Sequence, residues 1–176
     1  MIDTTIRAEF IESYQTHDDA LHGRDVDPYI DSPFLIYKEM SSKRKGKFFE
    51  KLVSEYCKHL GFAVTRPKQS EYDRIINGRR CEIKGSMLWG QGDQFRWQQI
   101  RVAQDYDVII FLAMYPDRVE MYSSPKNVVD EYVTTQDENG HWKHNQHGGK
   151  TVNSGTFFLD GFPKDFPFMK SLYANL

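Results

Sequence analysis

The stretch YDRIINGRRCEIKGS, residues 72–86, decides how the chain is read. Asn77-Gly78 is the strongest short-range signal for a two-residue hairpin loop, because a type I′ turn needs positive φ at both central residues. That turn sets a register: Ile76 opposite Arg79, Ile75 opposite Arg80, Arg74 opposite Cys81 and Asp73 opposite Glu82. Directly opposed side chains lie about 4.5–5.5 Å apart at Cβ, where like charges repel. Lys84, two residues past Glu82, projects from the same face. Two acids and a lysine therefore converge on one patch. A hard divalent cation such as Mg²⁺ would reconcile the acids, since it takes carboxylate oxygens and keeps waters that a substrate phosphate can replace. The plainer alternative is a surface hairpin whose Arg79, Arg80 and Lys84 neutralise the acids.

Upstream, Phe49, Leu52, Val53, Tyr56, Cys57 and Leu60 recur as one buried helical face, with Gly61 as the C-terminal cap. At about 100° per residue, Glu50 falls beside the Cys57 edge of that stripe and Glu55 well outside it. Glu50 is thus the helix acid able to point into a neighbouring site, although a first-turn glutamate is also favoured by the helix dipole. The basic run SSKRKGK, 41–47, leads into this helix. Residues 4–16 read as an amphipathic helix, 17–33 as a loop, 34–40 as a short strand or helical turn, and 62–66 as a short strand. Downstream, 85–94 reads as a glycine-bearing loop and Phe95–Ala103 as a helix. Residues 107–114, nearly all apolar and rich in branched side chains, read as a central strand covered on both faces. A strand at 118–123, a helix opened by Pro125, a long polar loop at 134–155 and a last strand at 156–160 complete the order. That order predicts a mixed α/β fold, a central sheet flanked by helices.

The totals bound the function. At 176 residues the chain is expected to be one domain with a real core. Aromatics at 14% argue against disorder. A net charge of -2 means that any nucleic-acid surface must be local. Cys57 and Cys81 both sit at apolar positions, so they read as buried thiols of an intracellular, cytoplasmic protein rather than a disulfide. No signal peptide or stretch long enough to span a membrane is expected.

The ordered set GKFFEKLVSEY, EYDRI and CEIKGS, followed by paired glutamines, resembles the PD-(D/E)XK nuclease superfamily, and type II restriction endonucleases within it. The likeness covers about half the chain, and Tyr72 stands where many members carry proline. It implies a restriction endonuclease-like fold with an αβββαβ core. The implied organisation is one nuclease domain over 1–176, with an extension at 1–40, a catalytic core at 41–133 and a C-terminal loop and strand at 134–176. Carried over position by position, Asp73 and Glu82 resemble the metal ligands, with the Ile83 carbonyl as a third. Lys84 resembles the lysine beside the attacking water. Glu50 resembles the first-helix acid, catalytic or metal-binding, and Gln99 (or Gln98) the glutamine some members place at the site. Mg²⁺ is the implied cofactor, with Mn²⁺ as a substitute.

Candidate DNA contacts fall into three groups. Lys43, Arg44, Lys45 and Lys47 suit phosphates. Ser86, Gln91, Gln94, Arg96, Gln98, Gln99 and Arg101, interleaved with Trp89 and Trp97, suit base edges; their plain alternative is a core helix face with a polar exterior. Gln146, His147 and Lys150 suit a contacting loop, whereas His141, His144 and His147 lack the cysteine partners or regular helix that a zinc site would use. The expected partners are double-stranded DNA, a second copy of the chain, with the first 40 residues as its interface, and a cognate DNA methyltransferase if the enzyme is of the restriction kind. A structure-specific repair, recombination or phage nuclease, and a DNA-binding protein that kept the fold without chemistry, are the competing expectations.

Overall fold

The computed structural model describes residues 27–68, 71–89 and 94–176. The helix expected over 4–16, part of the 17–33 loop and Gln91 lie outside the described residues. A helical turn, Leu35–Lys38 (α1), precedes the long helix Ser42–His59 (α2). Strands Val64–Thr65 (β1), Arg74–Ile76 (β2), Arg79–Trp89 (β3), Gln94–Arg101 (β4), Val108–Met114 (β5) and Val119–Pro125 (β6) follow. Helix Lys126–Val133 (α3) and strands Thr156–Gly161 (β7) and Lys170–Ser171 (β8) close the order.

The main sheet runs β1-β2-β3-β5-β6-β8, with β3 and β5 parallel and the other neighbours antiparallel. β5 is buried along its whole length. Val108, Ile110, Leu112 and Met114 join Phe49, Val53 and Cys57 of α2 in one core, and Ile109, Phe111 and Ala113 face a second core. That second core is roofed by β4, β7 and α3. Past Met87, which pairs with Met114, β3 leaves β5 and pairs with β4 through Leu88 and Trp89. The buried Tyr29 ring sits at this fork: its hydroxyl donates to the Met114 carbonyl and accepts from the Leu88 N–H at 3.0 Å.

Three expectations are corrected here. Residues 95–103 form no helix: they are strand β4 as far as Arg101 and a turn beyond it, so the second helix of the αβββαβ order is replaced by a strand. The physical cause is a bulge. The β4–β7 register shifts between Trp97 and Ile100 and Gln99 takes φ 58, so the inward residues are Phe95, Trp97 and Ile100. The extra residue breaks the alternation that marks a strand. Residues 85–89 are likewise strand rather than loop. Gly85 is there because a Cβ at that position would lie 2.1 Å from the Phe49 ring. The basic run also sits inside the first turns of α2 rather than ahead of it.

Candidate active site

The hairpin forms with the expected register, Ile76 opposite Arg79 and Arg74 opposite Cys81, and both Asn77 (φ 48) and Gly78 (φ 81) have positive φ. The ladder stops there. Asp73 does not continue it as a regular partner of Glu82. Its N–H donates to the Cys81 carbonyl at 3.0 Å, and its Oδ2 accepts from the Ile83 N–H at 2.7 Å. The Asp73 carboxylate thereby turns around the end of β2 onto the strand that carries Glu82. Glu82 is only 6% exposed. Burial is the main cause that raises its pKa above the ordinary glutamate value; Lys84 opposes the rise and Asp73 adds to it. Lys84 Nζ donates to Glu82 Oε1 at 2.6 Å.

Glu50 approaches from α2 as its place beside the Cys57 edge predicts, and burial, then the charge of Asp73, raise its pKa. It does not stand as a bare third acid. Arg74 donates to Glu50 Oε2 at 3.2 Å, to Ser54 Oγ at 2.7 Å and to the Asp73 carbonyl at 2.5 Å. Sequence reasoning missed Arg74. Its signal was the register itself: opposite the buried Cys81, Arg74 must face the α2 stripe at the level of Glu50. Glu55 stays outside this cluster and pairs with Lys58 at 2.9 Å.

These groups open into a groove of about 820 Å³ between the start of α2, β3 and β4. Lys43, Lys45 and Lys47 form one bank, Asp73, Glu82, Ile83 and Lys84 lie along the floor, and Arg96, Gln98 and Gln99 form the other. Lys45 is half-buried, which together with nearby Lys38 lowers its pKa. Other candidates are placed differently. Arg44 and Arg101 are exposed but do not line the groove. Ser86 lines the groove but is buried, donating to the Met87 carbonyl and accepting from the Arg96 N–H, so it braces β3 against β4. Arg96 is clamped by Asp160 at 2.6 and 2.7 Å. Trp97 is core, not a reading surface.

Gln146 does not line the groove but bonds to two residues that do. Its Oε1 accepts from the Gln99 N–H at 2.6 Å and its Nε2 donates to Gln98 Oε1 at 3.4 Å, tying the 134–155 loop to the β4 bulge. His147 and Lys150 are exposed on that loop and Gln94 is half-buried at the start of β4, none of them lining the groove. His141 lies 3.3 Å from Asp137, and His144 packs against Tyr132.

No family model matches the chain, and no curated protein matches it. Among solved structures, the chain is similar to a bacterial homing endonuclease, I-Ssp6803I, with a TM-score of 0.42 and 18% sequence identity over 63% of this chain and 83% of the other. The shared shape is remote, so the chemistry must be read from the site's own residues. Among the described residues, no helix is long and apolar enough to cross a membrane.

Proposed function

We propose that the protein is a Mg²⁺-dependent endonuclease that hydrolyses phosphodiester bonds of double-stranded DNA, of the sequence-reading kind to which type II restriction enzymes belong. The observation that carries this reading is the buried Glu82 carboxyl beside half-buried Asp73 and Lys84, set in the floor of a groove whose bank is a lysine run. Burying Glu82 with a second acid against it costs free energy unless a cation offsets it. Hard carboxylate oxygens suit Mg²⁺ or Mn²⁺. Among the described residues no group of three acids, histidines or cysteines gathers to cage an ion. A cation here would be held by Asp73, Glu82 and the Ile83 carbonyl and would take its remaining ligands from water and phosphate.

When bound, such an ion polarises a phosphoryl oxygen and lowers the pKa of a coordinated water. The protein's own groups do the rest. Lys84 supplies fixed positive charge where the transition state gains negative charge. Arg74 holds Glu50 beside Asp73. Lys43, Lys45 and Lys47 position the backbone, and Gln98 and Gln99, held by Gln146, offer donors and acceptors to base edges. A two-fold dimer would place one site on each strand. A cognate methyltransferase would protect the host's copies of the recognition sequence.

The test is nicking of supercoiled plasmid with Mg²⁺, with Mn²⁺ and with chelator, for the parent, Asp73→Ala and Lys84→Ala. Cation-dependent nicking, reduced at least ~10²-fold in both variants, is expected. Variants that cut as well as the parent would sink the site assignment. Discrete bands from long DNA favour sequence reading; cutting only at junctions or flaps favours a repair or recombination nuclease. No cutting on any DNA favours a binding protein without chemistry.

A further inference from the structure

A second hollow, of about 620 Å³, lies on the other side of Glu50 and Asp73. It shares Lys47, Glu50 and Asp73 with the first groove, so the two meet at the proposed reaction centre. Its wall is the outer face of α2. Lys47, Lys51 and Lys58 fall within an arc of about 40° at 3.6 residues per turn, and span roughly 16 Å along the axis. Arg66, exposed just after β1, faces them across the hollow. The chain as a whole carries a net charge of -2, so a basic strip here is a local feature rather than a consequence of composition.

We infer that this hollow holds the phosphodiester backbone that continues past the scissile phosphate, with Lys51, Lys58 and Arg66 as its phosphate contacts. The inference rests on the endonuclease reading above and adds the track of the substrate. A strand cut at the Glu50–Asp73 boundary must enter through one hollow and leave through the other. Roughly 16 Å of helix matches about five steps of duplex at 3.4 Å per step. The two sides differ in kind. The first offers Gln98 and Gln99 as well as lysines; the second is lined mainly by cations, and of its other polar side chains beyond Glu50 and Asp73, Glu55 is held by Lys58 and Ser54 by Arg74, leaving Thr65 and Tyr72. It therefore holds backbone without regard to sequence. Lys58 is paired with Glu55 at 2.9 Å, and phosphate would compete with that acid for it.

The test measures binding of the full chain to a duplex of about 30 base pairs across a salt series, with plasmid nicking followed in parallel. The triple variant Lys51→Gln, Lys58→Gln, Arg66→Gln is compared with Arg118→Gln, Lys164→Gln, Lys170→Gln, whose exposed side chains line neither hollow. Each lost phosphate contact lowers the slope of log K against log salt by about 0.9, so the first variant should lose roughly 2–3 units and the second almost none. Equal slopes for parent and first variant, or equal losses in both variants, would overturn the inference. So would absence of DNA binding by the parent. Binding with the expected slopes but no nicking would instead sink the endonuclease reading and leave the backbone track standing.

Discussion

The β2–β3 hairpin and strand β4 are both short segments that interleave apolar residues with charged or amide side chains, yet they are specified in opposite ways. The hairpin is specified from within. Asn77 and Gly78 take the positive φ that the turn requires, and the pairing of Arg74 with Cys81 follows without help from distant residues. β4 is specified from outside. Its partner β7 lies about sixty residues downstream, and Phe95, Trp97 and Ile100 are held in by Phe111, Phe157 and Phe166 from three other parts of the chain. Local chemistry can be read locally; a strand whose identity comes from its partners cannot, least of all when a bulge disturbs its alternation.

The largest effect that tests this contrast belongs to Trp97→Ala. Trp97 is fully buried, stacked on Phe95 at 5.4 Å, and its indole N–H donates to the Leu112 carbonyl at 3.0 Å. Its loss should cost about 3–5 kcal/mol in urea denaturation. A cost below about 1 kcal/mol would mean that β4 is not a packed layer, and that the helix reading of this segment must be reopened.

Two glycines sharpen the same contrast at smaller scale. Gly85→Ala forces a Cβ into the Phe49 ring, which cannot swing away inside the α2 core, so overpacking of about 1–3 kcal/mol is expected. Gly78→Ala meets no neighbour within 4 Å and bears only the cost of its φ of +81, about 1 kcal/mol. The thermal stabilities should therefore fall in the order parent, Gly78→Ala, Gly85→Ala. The reverse order would make the turn, not tertiary contact, the tighter constraint at the site.

The same division explains what the sequence disclosed of the site. Asp73, Glu82 and Lys84 were legible because hairpin register and strand alternation are local rules, and Glu50 because helical periodicity is another. Even there the ladder's end was not: Asp73 leaves the regular pairing to cap the Ile83 N–H, which no spacing rule encodes. Arg74 needed two local rules combined, the register of one element and the face of another. Gln146 was reachable only as a loop candidate, since its bonds to Gln98 and Gln99 cross nearly fifty residues. Ser86 and Arg96 fit a base-reading pattern in sequence, but the β4 backbone takes the Ser86 hydroxyl and Asp160 of β7 takes the Arg96 guanidinium.

The smallest effect tests whether the hairpin's acids carry the strain that a cation would relieve. Glu82 is surrounded by Asp73 and Lys84, and burial raises its pKa in the folded state above 4.5. A raised folded pKa means that the folded chain binds the proton more tightly than the unfolded chain does. Stability from this group is then fully present below the ordinary glutamate range and is lost as pH rises through the raised value. In chelator, the melting temperature of the parent should include a decline from about pH 5 upward that Glu82→Gln, neutral at every pH and nearly isosteric, removes. Glu50 and Asp130, whose pKa values are also raised by burial, titrate in both proteins and cancel in the difference. Mg²⁺ should restore stability to the parent at neutral pH and do little for Glu82→Gln. If the two proteins keep the same pH slope, Glu82 is as stable charged as neutral in this fold, and its burial beside Asp73 ceases to be a reason for a metal site.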